Sequence, residues 1–472
     1  MGASSFCDHT ILIPGPSFHV DLAPLDARHP IHYGRRLLIF RCASSAQRDA
    51  QLTAFKTGLQ ALVSRFPVLG GTVESLPSVV SSDGKQDWRA IVPGSSPGIE
   101  LIVRDLRAEL PPFEELERAH FPPDKIPYGL LVPIPQELSN DRPFAACKMQ
   151  FSAFEGGTIL TFSMSHSVGD GVGNNELMRV LAEEMRLAQE HLSEGATNEK
   201  RSEATTPMGL DRSFLRNITS NVEFNIKDHP AYTLEIPPST LSSHPFEAIS
   251  PEISILLRIS PANLTQLKAD ATQPAAPSIS THDALAALMW RTVLLIRSRR
   301  SPSSKDFPAS TIGNVYFPSD GRRHLGLPQS YIGNAVYQIA ANLPLSTLFS
   351  PSGLQHAASA IRSALTAVNP TIVTSLMAET KERWLDWGFM RDYSTTGVGM
   401  GTDWTSGSLY EDDWGEAFGK MVRFRYPGGE GQAGCCILPK LLDGGAEVVV
   451  AVLPDEVEVL RGEEGFGKYI VE

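Results

Sequence analysis

A chain of 472 residues with 42% hydrophobic and 20% charged side chains can bury the cores of two ordinary domains, which excludes a disordered or fibrous protein. Its formal net charge of -12 excludes a general affinity for nucleic-acid backbones and makes any anionic ligand depend on a local basic patch. Five cysteines, Cys7, Cys42, Cys147, Cys435 and Cys436, are odd in number and lack a paired ligand spacing, which argues against a metal site and a disulfide framework and for a reducing compartment.

The N-terminus has no basic start followed by a long apolar run, and no stretch reaches bilayer length, so a cytoplasmic protein without a membrane anchor is expected. A Pro-punctuated extended stretch runs to about Asp26, and a short strand is predicted from Arg35. Leu52, Phe55, Leu59, Leu62 and Val63 recur at helical spacing before Pro67 stops the helix. Strands follow at 88–92 and 99–103, then a Pro-rich connection leads to a strand at 147–154. From 158 to 173 the sequence reads TILTFSMSHSVGDGVG. Leu160, Phe162, Met164 and His166 alternate with Ile159, Thr161, Ser163 and Ser165, so a strand is predicted with His166 ending its apolar face. Gly169, Gly171 and Gly173 are expected to break the strand by adopting backbone angles closed to other residues. The following helix places Leu177, Val180, Leu181, Met185 and Ala188 on one side.

His166 and Asp170 are separated by three residues at the end of this strand. An imidazole among apolar neighbours resists charging and can accept a proton as a general base; its alternative is a satisfied core histidine. For Asp170, orientation of the backbone or pairing with an Arg is favoured over proton transfer. His120 and Asp124 share the spacing, but HFPPDK offers neither strand nor Gly turn, and the pair is read as chance.

Residues 194 to 251 shift to Ser, Thr, Pro and mixed charge, a crossover between domains. Beyond it, a strand over 252–260, a short helix, and a helix from Ala284 capped by Ser280, Thr281, His282 and Asp283 are predicted. Strands near 311–317 and 336–341, helices near 354–367 and 372–385, and four further strand-like segments complete a mixed α+β chain.

HSVGDG, together with Asp413-Trp414-Gly415 and the later Gly419-Lys420, resembles the BAHD family of CoA-dependent acyltransferases, whose hallmarks are HxxxDG and a DFGWG-type segment. The second motif is partial here. Lesser landmarks in the family's order are LAPLD at 22–26, RFPVLGG at 65–71, STHDALAALMWR at 280–291, DGR at 320–322, YIGN at 331–334 and TDW at 402–404.

The resemblance implies two chloramphenicol-acetyltransferase-like domains, each a mixed sheet with flanking helices, with a channel between them. They are expected at 1–200 and 251–472, joined by a linker at 201–250. It implies direct acyl transfer, most simply of acetyl, from acyl-CoA to a hydroxyl or amine of a fungal secondary metabolite, by a monomer with no permanently bound cofactor. His166 is then the base, Asp170 supports the motif through an Arg, and Thr402 donates to the oxyanion. Trp404 and Gly171 are assigned to substrate binding. Ser280, Thr281, Arg297, Arg299 and Arg300 are assigned to CoA, with Arg297, Arg299, Arg300 and Lys305 forming a basic cluster whose ordinary reading is a solvated surface. Asp413 is expected to form a buried structural pair with Arg322, and Gly415 to shape their loop. A condensation-type enzyme of peptide synthetases is the nearest alternative, although the His usual before the motif is Ser165 here. A silent binding protein of the same fold is the other.

Overall fold

The computed structural model describes residues 6–28, 33–75, 89–134, 143–194, 209–233, 252–274, 277–300, 308, 310–382, 386–387, 396–403, 409–427 and 435–471. The chain divides into two compact units. Unit 1 comprises Met1–Ile218, Gly326–Ala335 and Ser408–Pro427, and unit 2 comprises Thr219–Leu325, Val336–Gly407 and Gly428–Glu472. Two stretches that chain order alone assigns to the C-terminal half therefore belong to unit 1, among them the Asp413-Trp414-Gly415 segment. Of the expected linker at 201–250, residues 209–233 are described, and they divide between the units at Ile218.

In chain order the principal elements of the N-terminal portion are β1 His9–Pro14, β2 Tyr33–Arg41, α1 Ser45–Arg65, β3 Gly98–Asp105, β4 Cys147–Phe154, β5 Gly157–Ser165 and α2 Gly171–Glu194. Those after it are β6 Ile253–Ile259, α3 Thr281–Arg300, β7 Ile312–Asp320, β8 Val336–Pro344, α4 Gly353–Ala367, β9 Gly397–Asp403, β10 Arg423–Arg425, β11 Cys435–Ile437, β12 Ala446–Val452 and β13 Ile470–Val471.

Unit 1 is built on a six-stranded sheet ordered β1-β3-β4-β5-β2-β10, with β3 and β4 parallel and its other neighbours antiparallel. β4 and β5 form a hairpin across Glu155 and Gly156, and Gly156 takes the left-handed conformation, φ +76°, that such a tight turn requires. Every residue of β5 is buried, so both faces are covered. One face meets α1, where the Thr158 hydroxyl donates to Gln51 Oε1 at 2.9 Å. On the other, Ile159 joins Leu37, Ile39, Phe113, Leu116 and Phe121 in one apolar cluster.

α1 and α2 pack together at Gly58, where an added Cβ would lie 2.4 Å from Met185 Cγ. All five apolar positions predicted for the α2 stripe are buried, the four larger ones, Leu177, Val180, Leu181 and Met185, each contributing roughly 1.5–3 kcal/mol if fully transferred from water. Trp414 is fully buried against Phe40, ring centroids 5.4 Å apart. Gln189 holds that loop by donating to Trp414 O and accepting from Ala417 N.

Unit 2 carries a seven-stranded mixed sheet ordered β8-β7-β9-β11-β12-β6-β13, with β7–β9 and β9–β11 parallel. α3 is buried along most of its length. The Ser280 hydroxyl accepts from Asp283 N at 3.1 Å, and Asp283 Oδ2 accepts from Ser280 N at 2.7 Å, a reciprocal cap at the start of α3. Among the described residues no helix is long and apolar enough to cross a membrane.

Candidate active site

β5 stops at Ser165, and the backbone turns there: Val168 N donates to Ser165 O at 2.9 Å, and Ser167 N reaches the Ser165 hydroxyl at 3.2 Å. His166 is thus the first residue of the turn, not the last on a strand face, because strand alternation ends one position earlier. From Gly157 to Asp170 it alone is partly exposed; its neighbours in that run are buried.

Asp170 is buried and caps α2. Its Oδ1 accepts from Gly173 N at 3.0 Å, its Oδ2 from Ala335 N at 2.9 Å, and its carbonyl from Asn174 N at 2.9 Å. With both carboxylate oxygens committed to backbone N–H groups, the side chain fixes the turn.

The turn rests on segments distant in sequence. Asn334 Nδ2 donates to the His166 carbonyl at 2.7 Å and to Asp26 Oδ1 at 2.8 Å, and Asn334 N adds a 2.8 Å bond to the same Asp26 oxygen. Arg212 Nε lies 2.9 Å from Asp26 Oδ2, with both side chains almost fully buried, and Arg212 Nη2 donates to Val168 O at 2.7 Å. The Tyr331 ring lies 5.1 Å below the guanidinium. Burial works against the Arg212 charge, but Tyr331, Asp26 and Asp170 outweigh it and hold the guanidinium above its ordinary value. The landmarks LAPLD and YIGN therefore converge beneath His166. Arg212, from the stretch read as crossover, supplies a positive charge that Asp170 faces; no spacing in the sequence marks it.

The turn glycines serve a different purpose from the one expected. None of Gly169, Gly171 and Gly173 has positive φ. A Cβ on Gly169 would stand 1.8 Å from Ile332 O, and one on Gly173 2.1 Å from it. Their missing side chains admit the 331–335 backbone. Gly171 opens α2 and is partly exposed. The decoy His120 has φ +61° and Phe121 +54°, and Arg425 donates to both carbonyls, so that pair builds a chain corner.

Other candidates are engaged within their own units. Asp413 is exposed and accepts from Gly415 N at 3.0 Å, while Gly415 adopts φ +82°. An exposed carboxylate does not meet the expectation of a desolvated pair. Arg322 is fully buried in unit 2 and pairs with Asp320 at 2.8 Å. In the basic cluster, Arg297 is buried and donates to Gly397 O at 2.6 Å, and Arg300 bridges Glu252 and Glu456. These two charges are committed to the fold. Arg299 forms an exposed pair with Glu464. Ser280 and Thr281 open α3, with Ser280 in its capping role. Thr402 lies in β9 with its side chain outside the described residues, and Trp404 and Lys305 fall outside them altogether. Among the described residues no group of His, Cys, Asp and Glu could hold a metal ion.

Two units, each on a mixed sheet, with HxxxDG turning off the end of a central strand, share their fold with solved structures of TRI101. More narrowly, residues 33–184 match the trichothecene 3-O-acetyltransferase-like N-terminal domain. Among solved structures, F. graminearum TRI101 complexed with ethyl coenzyme A matches with a TM-score of 0.79 at 20% identity, covering 96% of this chain and 99% of that one. F. sporotrichioides TRI101 complexed with coenzyme A and T-2 matches at 0.77 and 22%, with coverages of 96% and 99%. At these identities the likeness is one of fold. An eremophilane O-acetyltransferase of Penicillium rubens is 26% identical over 96% of this chain and 98% of its own length. A Penicillium crustosum protein named enoyl-CoA isomerase/hydratase is 27% identical over 98% of this chain but only 52% of its own length, so the chain spans about half of that relative.

Proposed function

We propose that the protein is a CoA-dependent O-acyltransferase that moves an acyl group, acetyl in the simplest case, from acyl-CoA to a hydroxyl of a small secondary metabolite. The observation that carries this reading is His166: one partly exposed imidazole in an otherwise buried run, its backbone held by Asn334 and its turn capped by Asp170. His166 takes the proton of the acceptor hydroxyl as the oxygen attacks the thioester carbonyl. The C–S bond then breaks, and the imidazolium returns the proton to the departing CoA thiolate. The Thr402 hydroxyl is assigned to the oxyanion by resemblance. For the CoA phosphates, Arg299 is the available member of the basic cluster, because an exposed ion pair is exchanged at little cost. Relatives named as O-acetyltransferases support hydroxyl over amine acceptors. Five free cysteines fit a reducing, cytoplasmic setting.

The test is CoA release and product mass with acetyl-CoA and a panel of terpenoid and polyketide alcohols. His166→Ala is expected to lower turnover by roughly 10²- to 10⁴-fold with an unchanged melting temperature. Near-normal turnover in that variant would remove His166 from the mechanism. A parent that binds CoA but acylates nothing would favour the silent binding protein.

A further inference from the structure

β2 and β5 pair so that Arg35 lies opposite Ser163 and Leu37 opposite Thr161, on the sheet face away from α1. Arg35 is only 8% exposed. Among the described residues its Nε is buried without a hydrogen-bond partner, as are the hydroxyls of Ser163 and Thr161, both fully buried. Glu100 lies on the same face three strands away, across β5 and β4, and is taken by Lys148, which stands opposite Ser163. Burial pushes the Arg35 guanidinium down from its ordinary range, and the nearby phenols Tyr426 and Tyr33 offset this only in part. Buried arginines are ordinarily paired with carboxylates or carbonyls, as Arg212 and Arg425 are in this same unit.

We propose that Arg35, Thr161 and Ser163 form a subsite that binds a carboxylate of the acyl acceptor. A guanidinium presents a planar fork that matches a carboxylate with two parallel bonds, and the two hydroxyls can donate to its remaining lone pairs. The position suits a second group on the molecule that meets His166. Ser163 is three residues before His166, two of the steps within β5 and the last into the turn, so at most about 10 Å of chain separates them, a span that a small molecule bridges. The pantetheine arm holds the CoA phosphates farther than this from the thioester, so the acceptor and not CoA carries the anion. The inference rests on the acyltransferase reading for the identity of its ligand, and its test does not depend on turnover.

The probes are ω-hydroxyalkanoates of four to ten carbons and their methyl esters, titrated calorimetrically into the full chain at saturating CoA. At the best length the acid is expected to bind at least tenfold tighter than its ester. Arg35→Gln should abolish that preference, Thr161→Val with Ser163→Ala should reduce it, and His166→Ala should retain it. Because burial works against the Arg35 charge and its Nε has no partner among the described residues, Arg35→Met should melt at or above the temperature of the parent. Equal binding of acid and ester at every length, a preference that survives Arg35→Gln, a marked loss of stability in Arg35→Met, or a loss of CoA affinity in Arg35→Gln would each overturn the assignment, the last by showing that the anion is a CoA phosphate. An acid preference without acyl transfer would leave the subsite standing and overturn the transferase reading.

Discussion

Arg212 and Asp26 face each other at 2.9 Å with side chains 2% and 0% exposed. Removing one strands the other's charge in the interior, and for buried pairs this costs about 3–5 kcal/mol. Arg212→Met and Asp26→Ala are expected to lower unfolding free energies in urea by that amount. Asn334→Ala, which deprives Asp26 and the His166 carbonyl of a donor, should cost about 1–3 kcal/mol. Asp413→Ala should stay within about 1 kcal/mol, since an exposed carboxylate with one backbone bond among the described residues loses little; a loss as large as that of Arg212→Met would restore a structural ion pair for Asp413. This contrast also marks what the sequence could and could not reveal. His166 and Asp170 are legible because strand alternation, a glycine cluster and a fixed spacing meet in one short stretch. Asp26 and Asn334 stand out only as members of the LAPLD and YIGN landmarks, and nothing in a linear reading joins residues 308 positions apart. Arg212 carries no periodic signal because its role is to fill one buried place between loops.

At the scale of elements, the turn between β5 and α2 is a close contact between two backbones. Gly169→Ala or Gly173→Ala places a methyl group about 2 Å from the Ile332 carbonyl, and backbone atoms cannot yield as a flexible side chain can. Each variant is expected to lose several degrees of melting temperature or much of its soluble yield, with turnover falling in proportion to the displacement of His166. Gly129→Ala, whose added methyl meets nothing within 4 Å, is the control and should be neutral or slightly stabilising. Parent-like melting of Gly169→Ala would mean that the 331–335 segment does not press on the turn. The glycine cluster is plain in the sequence, but its cause is not: the expected demand on φ is local, whereas the observed demand comes from a carbonyl at position 332. Three-residue β10 is hidden for a similar reason. It is too short to show a period, and it is fixed by pairing with β2, with Arg423 opposite Ile39 and Arg425 opposite Leu37. That pairing is one of the contacts that draw Ser408–Pro427 into unit 1.

For the whole molecule, two of the groups that contribute to stability against pH are held differently by the two units. In unit 2, His229 is buried, stacked on Phe224 at 4.9 Å and 3.3 Å from the Ser375 hydroxyl, and burial holds its pKa below the ordinary 6.5. Below pH 6.5 the unfolded chain binds the proton more readily than the folded one, so this contribution is complete above that pH and is lost as pH falls. In unit 1, burial raises Asp412 from 3.8 to about 6, with Glu176 and Glu411 adding to the effect while Arg179 and Lys420 oppose it. Here the fold holds the proton more tightly, so stability falls as pH rises from about 4 to about 6 and stays lower above that. The side chain is partly exposed, and after solvent screening the cost of its charge at pH 7 is about 1 kcal/mol. Between pH 4 and 6 the two contributions run in opposite directions and partly cancel. Asp412→Asn should therefore melt higher than the parent at pH 7.5, lose that advantage at pH 4, and show a steeper decline on acidification. His229→Phe, which keeps the stack but cannot titrate, should decline less than the parent between pH 7 and 5.5. Melting temperatures across pH 4–7.5 at constant ionic strength measure both, and an advantage for Asp412→Asn that grew toward low pH would reverse the sign assigned to this carboxyl.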